Sequence, residues 1–586
     1  MENEKEIWNL NDLLKEQSEE EIITHVQELK KEIILKKNKL DDATPTLILE
    51  IIKLNEELEI ELSNIFSYYS LRTYANIHDE EANAKLDYYT QIATEIDNET
   101  MFFELWLIKL DDDKAQEYLN APELREYKKH IKDLIKLKPH TKTEEIEKIL
   151  NIKNITGRDA FSNIYDLITA SFKFELFDEK KLTQEEITAK YSDKDPTVRE
   201  AAYNSVLSVY KENSTTLHEI YKNIALGWSG EKIKIRNYKN AIHPRNHAND
   251  LTEEVVQNML EVIRENKHIF QEYFKLKQKF LEKKGQPHKY SRYHIYAPYN
   301  VEREYTYADS KKLVLETYRE FDEEFYQYAK KIFDEKHIHS HPEKGKRSGA
   351  FCHAPNNKMT PYILLNHTNK LRDIFTMMHE LGHAIHDIYT YKNPNTLHHP
   401  VLPLAETASI FGETILTKKL IETTQNEDEK AALLMHALDH YYASILRQAY
   451  FVIFEEIAHK KITEGVTKKE LDDIYYELLK EQFGDMDVPE LFKCEWNYIP
   501  HIHHTPFYCY AYSWGNLLVL ALYAEYEKNP EFKEKIKNIL KAGGTKDTLD
   551  ILKEAGVNAE QKKFWEAGFK IIQEELDEYK KIIEKL

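Results

Sequence analysis

The sequence predicts a mainly α protein, and three observations carry that reading. Glycine and proline are scarce, 15 and 17 in 586 residues, so turn signals are few. Apolar residues recur at spacings of three and four over long stretches, the period of a helix with one buried face. Period-two alternation is confined to short runs. Hydrophobic residues make up 41% against 31% charged, which is enough for a large core and excludes a disordered chain. The length exceeds a single simple core and predicts two or three subdomains, with a boundary near residue 200.

In chain order, residues 12 to 170 carry dense Leu/Ile/Tyr periodicity and read as helices. The lysines Lys30, Lys31, Lys36, Lys37 and Lys39 lie among acids and leucines and read as a solvated helix face. Ser171 to Phe177 alternates strictly and predicts a short strand, with Asp178-Glu179 opening a turn. Helical patterning resumes near Thr183 and runs through Gly227. His337, His339 and His341 alternate next to Pro342 and Gly345. They read as a flexible surface connection, with chelation from a strand as the alternative.

Gly349 to His353 and Tyr362 to Leu365 are short apolar runs bounded by Pro355-Asn356-Asn357 and by Pro361, which predicts a small sheet. One of these strands is expected at a sheet edge over a cleft, where an extended peptide could add through its backbone. Next, Thr368-Asn369-Lys370 supplies capping candidates. Leu371, Ile374, Phe375, Met378, Leu381, Ile385 and Ile388 then form an apolar stripe at helical period. The chain breaks at Lys392 to Thr396, passes His398-His399, Pro400 and Pro403 as loop, and resumes a helical pattern from Leu404 to Glu413. Near the carboxy terminus, Pro506 and the apolar run to Tyr523 predict a helix starting near Pro506.

The helix over 371 to 388 carries His379-Glu380-Leu381-Gly382-His383. Residues four apart share a helix face, so His379 and His383 can point imidazoles at one Zn²⁺, and Glu380 beside them can take a proton from water. Catalytic zinc usually keeps three protein ligands, and Glu406 on the following helix is the expected third. Glu413, seven residues on, lies near the same face and reads as a hydrogen-bonding partner of a ligand or as a surface acid. His386 competes for the third place. Gly382 inside a helix costs roughly 1 kcal/mol against Ala, which predicts a close backbone approach there.

HELGHAIH followed by AETASIFGE resembles the oligoendopeptidase F and thimet oligopeptidase family of zinc peptidases, closer to the oligoendopeptidase F branch. Trp8 to Leu13 resembles that family's W-x-L-x-D-L, Tyr296-Ala297-Pro298 its Y-A-P, and His501 to Gly515 its carboxy-terminal His/Tyr motif. The segments Lys346 to Cys352 and Pro361 to Asn366 resemble those before its zinc helix, so the likeness spans essentially the whole chain. One departure is visible: His294 stands where the branch commonly has Asp.

The resemblance implies two helical halves around a deep substrate channel, with residues 1–200 as an amino-terminal channel wall and 201–586 as the catalytic part. It also implies one zinc ion per chain and short peptides as substrates. Peptide hydrolysis passes through an oxyanion that positioned Tyr and His donors stabilise. The His/Tyr segment offers His501, His503, His504, Tyr508, Tyr510 and Tyr512, and the motif spacing picks Tyr510 with His501. Tyr508 and His503 are the substitutes.

A net charge of −21 disfavours nucleic acid and anionic membrane as partners. No apolar run reaches membrane-spanning length, and MENEKEIWNL does not read as a signal peptide. Three scattered cysteines make no disulfide framework, which points to a reducing, cytoplasmic setting. The expectation is a cytoplasmic zinc endopeptidase. The alternatives are a zinc carboxypeptidase on a similar helical fold and an inactive helical peptide-binding protein.

Overall fold

The computed structural model describes residues 5–14, 17–299 and 304–586, and the chain is mainly helical as expected. It divides into two compact units that are each discontinuous in sequence. One comprises Met1–Pro139, Arg303–Lys419 and Asn529–Gly556, and the other His140–Glu302, Leu420–Lys528 and Val557–Leu586. Residues on both sides of position 200 therefore contribute to each unit. Strands are few: a hairpin of β1 (Phe174–Leu176) and β2 (Glu179–Leu182), and a three-stranded sheet of β3 (Ile338–His339), β4 (Phe351–His353) and β5 (Tyr362–Leu364).

In the first unit, helix Pro45–Ala75 packs against Glu19–Lys36 and Glu80–Thr100. Local chemistry sets the starts of these helices. Ser18 and Glu21 form a reciprocal capping box, and the Thr44 side chain accepts from the Leu47 amide with Pro45 opening the helix. The buried faces bring Ile22, Val26, Ile48, Ile52 and Leu58 into one apolar cluster.

The three-stranded sheet has the order β3-β5-β4, with β3 parallel and β4 antiparallel to β5. Among the described residues β4 pairs with β5 alone, so it is an edge strand. Trp8 and Leu13 pack on this sheet through Tyr362 and Leu364, so the amino-terminal motif braces it. The expectation of a surface connection at His337 to His341 is corrected here. His337 and His339 are buried at 2% and 4% exposure and belong to or adjoin β3. His337 stacks on Tyr362 at 3.9 Å, and its Nδ1 is 2.9 Å from the Thr360 carbonyl. Pairing with β5 outweighs the nearby turn signals.

In the second unit, Asp195 caps the long helix Pro196–Trp228, which packs on Arg158–Ser171 and Arg447–Glu464. Helix Tyr510–Lys528 packs along Lys562–Lys585. It begins at Tyr510 rather than near Pro506, because Phe507 takes a left-handed conformation with φ of 60°.

Candidate active site

Helix Leu371–Tyr389 carries the HExxH residues in the first unit. Asp373 fixes its start by accepting from the Lys370 amide at 3.0 Å and from Thr368. The apolar stripe is buried, with Ile374, Met378, Leu381 and Ile385 all at 0% exposure, and this sets His379 and His383 at the edge of the core.

The close approach expected at Gly382 is with the next helix. A Cβ there would lie 2.4 Å from Ser409 Cα and 2.7 Å from the Ala408 carbonyl oxygen. Backbone therefore meets backbone at this point. Gly412 gives a second close contact, where a Cβ would lie 2.9 Å from the Tyr318 hydroxyl. Glu406 sits in the break between Leu402–Ala405 and Thr407–Thr423, and its carbonyl accepts from the Ile410 amide at 3.1 Å to begin the second helix.

The packing brings His379, His383 and Glu406 together. The two Nε2 atoms are 3.2 Å apart, and each lies 3.4 Å from Glu406 Oε2. A tetrahedral ion with bonds of roughly 2.0–2.1 Å needs ligand atoms roughly 3.3–3.4 Å apart, so this donor set fits one zinc ion. Supporting contacts orient the donors. Glu413 Oε1 is 2.6 Å from His379 Nδ1, which leaves Nε2 as the ligand atom, and Ser409 donates to Glu406 Oε2 at 2.8 Å. The Ala405 backbone bonds His383. His386 is buried and lies outside the converging set.

Electrostatics within the site follow from burial and proximity. Burial alone would lower His379, but its hydrogen bond to Glu413 and the charges of Glu413, Glu406 and Glu380 carry it up to about 9. Burial raises Glu380 to about 7, helped by Glu406 and Glu413 and opposed by His379 and by a hydrogen bond from the Cys352 backbone. That last bond ties Glu380 to the edge strand β4. A cavity of about 410 Å³ is lined by Phe351 and Cys352 of β4 and by His379, Glu380 and His383.

The His/Tyr segment lies in the second unit. Tyr510 is fully buried, and its hydroxyl accepts from Asn249 Nδ2 at 2.8 Å. His501 lies elsewhere, in a half-buried cluster with Tyr508 and Tyr512: ring centroids are 6.2 Å and 5.9 Å from His501, and Tyr512 Oη is 3.5 Å from His501 Nε2. Burial, Arg447 and His504 lower the His501 pKa. His503 is buried, stacking on Tyr165 at 3.9 Å. His294 is also buried, and its Nδ1 accepts from Arg199 Nε at 3.4 Å. Burial and Arg199 push it down to about 3, so a neutral imidazole meets the guanidinium where the branch commonly has a carboxylate.

Sequence reasoning left Glu413 between two roles and gave no role to Ser409 or Asn249. Helical spacing assigns a face and not a partner.

Comparison with known proteins places the chain in a family. The family model described as Peptidase family M3 matches residues 189–571, and that described as Oligopeptidase F matches residues 106–174. The chain is 31% identical over 435 residues to the chromosomal oligoendopeptidase F of Lactococcus lactis subsp. cremoris, covering 72% of this chain and 70% of that protein. It is 28% identical over 600 residues to an oligoendopeptidase F homolog of Borreliella burgdorferi, covering 99% of both. In structure it is similar to oligoendopeptidase-F from Enterococcus faecium, with a TM-score of 0.72 at 24% identity, covering 97% of this chain and 99% of that one. A solved chain from Chlamydophila abortus gives a TM-score of 0.88 at 22% identity, covering 98% of both.

Proposed function

The chain belongs to peptidase family M3, and from that premise we propose that it is a zinc-dependent endopeptidase that hydrolyses internal bonds of short unstructured peptides. The observation that carries this reading is the triangle of His379 Nε2, His383 Nε2 and Glu406 Oε2, with sides of 3.2, 3.4 and 3.4 Å. These three residues would hold the ion. When bound, zinc polarises a carbonyl and acidifies water.

The rest of the mechanism belongs to the chain's own side chains. Glu380 takes a proton from the attacking water and passes it to the leaving amine. Burial raises the Glu380 carboxyl above the ordinary carboxylate range, which makes it a better proton acceptor than an exposed carboxylate. Edge strand β4 pairs with β5 alone among the described residues and lines the cavity beside Glu380, so an extended peptide can add along it, and this favours cleavage at internal bonds over recognition of a terminus. As the family's His/Tyr motif implies, a hydroxyl donor stabilises the oxyanion. We assign it to the cluster of His501, Tyr508 and Tyr512, because the Tyr510 hydroxyl is buried against Asn249. Three cysteines, too few and scattered for a disulfide framework, support a reducing, cytoplasmic setting.

The test presents one scissile sequence twice, as a free peptide and inside a rigid loop of a stable folded protein. Strand addition requires a backbone free to pair, so only the free peptide should be cut. Equal rates in both settings would overturn the reading.

A further inference from the structure

We propose that Asp387, His398 and His399 form a second divalent-metal site, of zinc-like preference, in the wall of the cavity that holds the first ligand set. The ligand atoms of these three side chains all lie within 4.8 Å of one another. Asp387 Oδ1 is 3.3 Å from His399 Nδ1 and 3.7 Å from His398 Nε2. Those separations approach the spacing of two donors on one tetrahedral ion. Asp387 continues the four-residue step of His379 and His383 along one helix face, and both Asp387 and His399 line the same cavity as His379 and His383.

The hydrogen-bond network assigns the tautomer of His398. The Thr390 hydroxyl donates to the Asp387 carbonyl at 2.8 Å, so its oxygen accepts from His398 Nδ1–H at 2.7 Å. His398 Nε2 is then a lone pair. It has no hydrogen-bond partner, and the residue is only 1% exposed. A buried lone pair aimed toward a carboxylate is two acceptors facing each other, and a cation between them resolves the conflict. A simple pairing of His399 with Asp387 leaves that lone pair unsatisfied. Asp387 also lies in the last turn of helix Leu371–Tyr389, where the helix carbonyls add negative potential.

The loop that carries the two histidines is held in place. The Gly544 amide donates to the Leu397 carbonyl at 3.0 Å. A Cβ on Gly543 or Gly544 would come within 2.7 Å of the His398 or His399 carbonyl oxygen, so only glycine lets the two segments meet there. This fixes the backbone that presents both rings.

The test is a calorimetric titration of the chelator-stripped full-length protein with zinc chloride. About two ions should bind per chain, one to each three-ligand set, the second more weakly because His399 is exposed. His399→Ala removes an exposed ligand with little packing cost, and Asp387→Asn keeps the side-chain shape. Each should weaken the second step at least roughly tenfold and leave the first step intact. Glu406→Ala should do the reverse, so failure of the first site is distinguishable from failure of this one. A single binding step in the wild-type chain, or a second step unchanged in both variants, would overturn the proposal.

Discussion

Gly382 and Ser409 meet backbone to backbone, with room for no side chain on Gly382: a Cβ would lie 2.4 Å from Ser409 Cα. That contact sets the distance between the helix bearing His379 and His383 and the segment bearing Glu406. Gly382→Ala must push the two apart. Overpacking of this kind costs roughly 1–3 kcal/mol, and the third ligand should retreat from the other two. The expected outcome is a lowered melting temperature and substoichiometric zinc, read by thermal unfolding and elemental analysis. Full zinc content in the variant would mean that the contact does not govern the ligand geometry.

Ligand identity is separable from ligand support. Glu406→Ala should strip the ion held with His379 and His383, while His386→Ala should keep it, because His386 lies outside the converging set. Glu413→Gln removes the charge that orients His379, and such supporting changes cost roughly 10–100-fold in metal affinity. Zinc titrations of the three variants should therefore rank Glu406→Ala worst, Glu413→Gln intermediate and His386→Ala near wild type.

Zinc binding should release protons in a direction fixed by the His379 environment. In stripped protein at pH 7 His379 is protonated, since its pKa is about 9, and a ligand imidazole must be neutral. At least roughly one proton should therefore leave for the zinc bound at this site at pH 7, and fewer as the pH rises through 9. Affinity should fall as the pH is lowered. Calorimetry in buffers of different ionisation heat measures the count, and proton uptake would contradict the assignment.

Glu380→Gln keeps the size of the side chain and removes the base. Zinc content and unfolding should stay near wild type while turnover falls by roughly 10²-fold or more. Near-normal turnover in a clean preparation would rule out Glu380 as the proton carrier.

Tyr508→Phe and Tyr512→Phe separate the oxyanion donor from its neighbours. Loss of the acting hydroxyl should lower kcat by roughly 10²–10³ with little change in KM. Tyr510→Phe removes the bond to Asn249, so it should cost roughly 1 kcal/mol of stability and spare kcat. A kcat loss confined to Tyr510→Phe would return the role to the residue that the motif spacing picks.

The HExxH helix was legible because a stripe from Leu371 to Ile388 at helical period is a strong local signal, and Gly382 announced a close approach through its helix cost. The sheet around Tyr362 was legible from turn residues. What the sequence hid depends on tertiary contact. The burial of His337 and His339 comes from β5, not from their own neighbours. The choice among Tyr508, Tyr510 and Tyr512 turns on where the helix starts, and the left-handed Phe507 delays it past Pro506. The partner of Glu413 and the meeting of Asp387 with His398 required the fold of a loop between two helices.

The most direct test of metal-dependent internal cleavage is mass analysis of products from unstructured peptides of graded length, before and after chelation and after return of zinc. Internal fragments that vanish with chelator and reappear with zinc are the predicted result. Stepwise loss of carboxy-terminal residues, or cleavage indifferent to chelator, would contradict it.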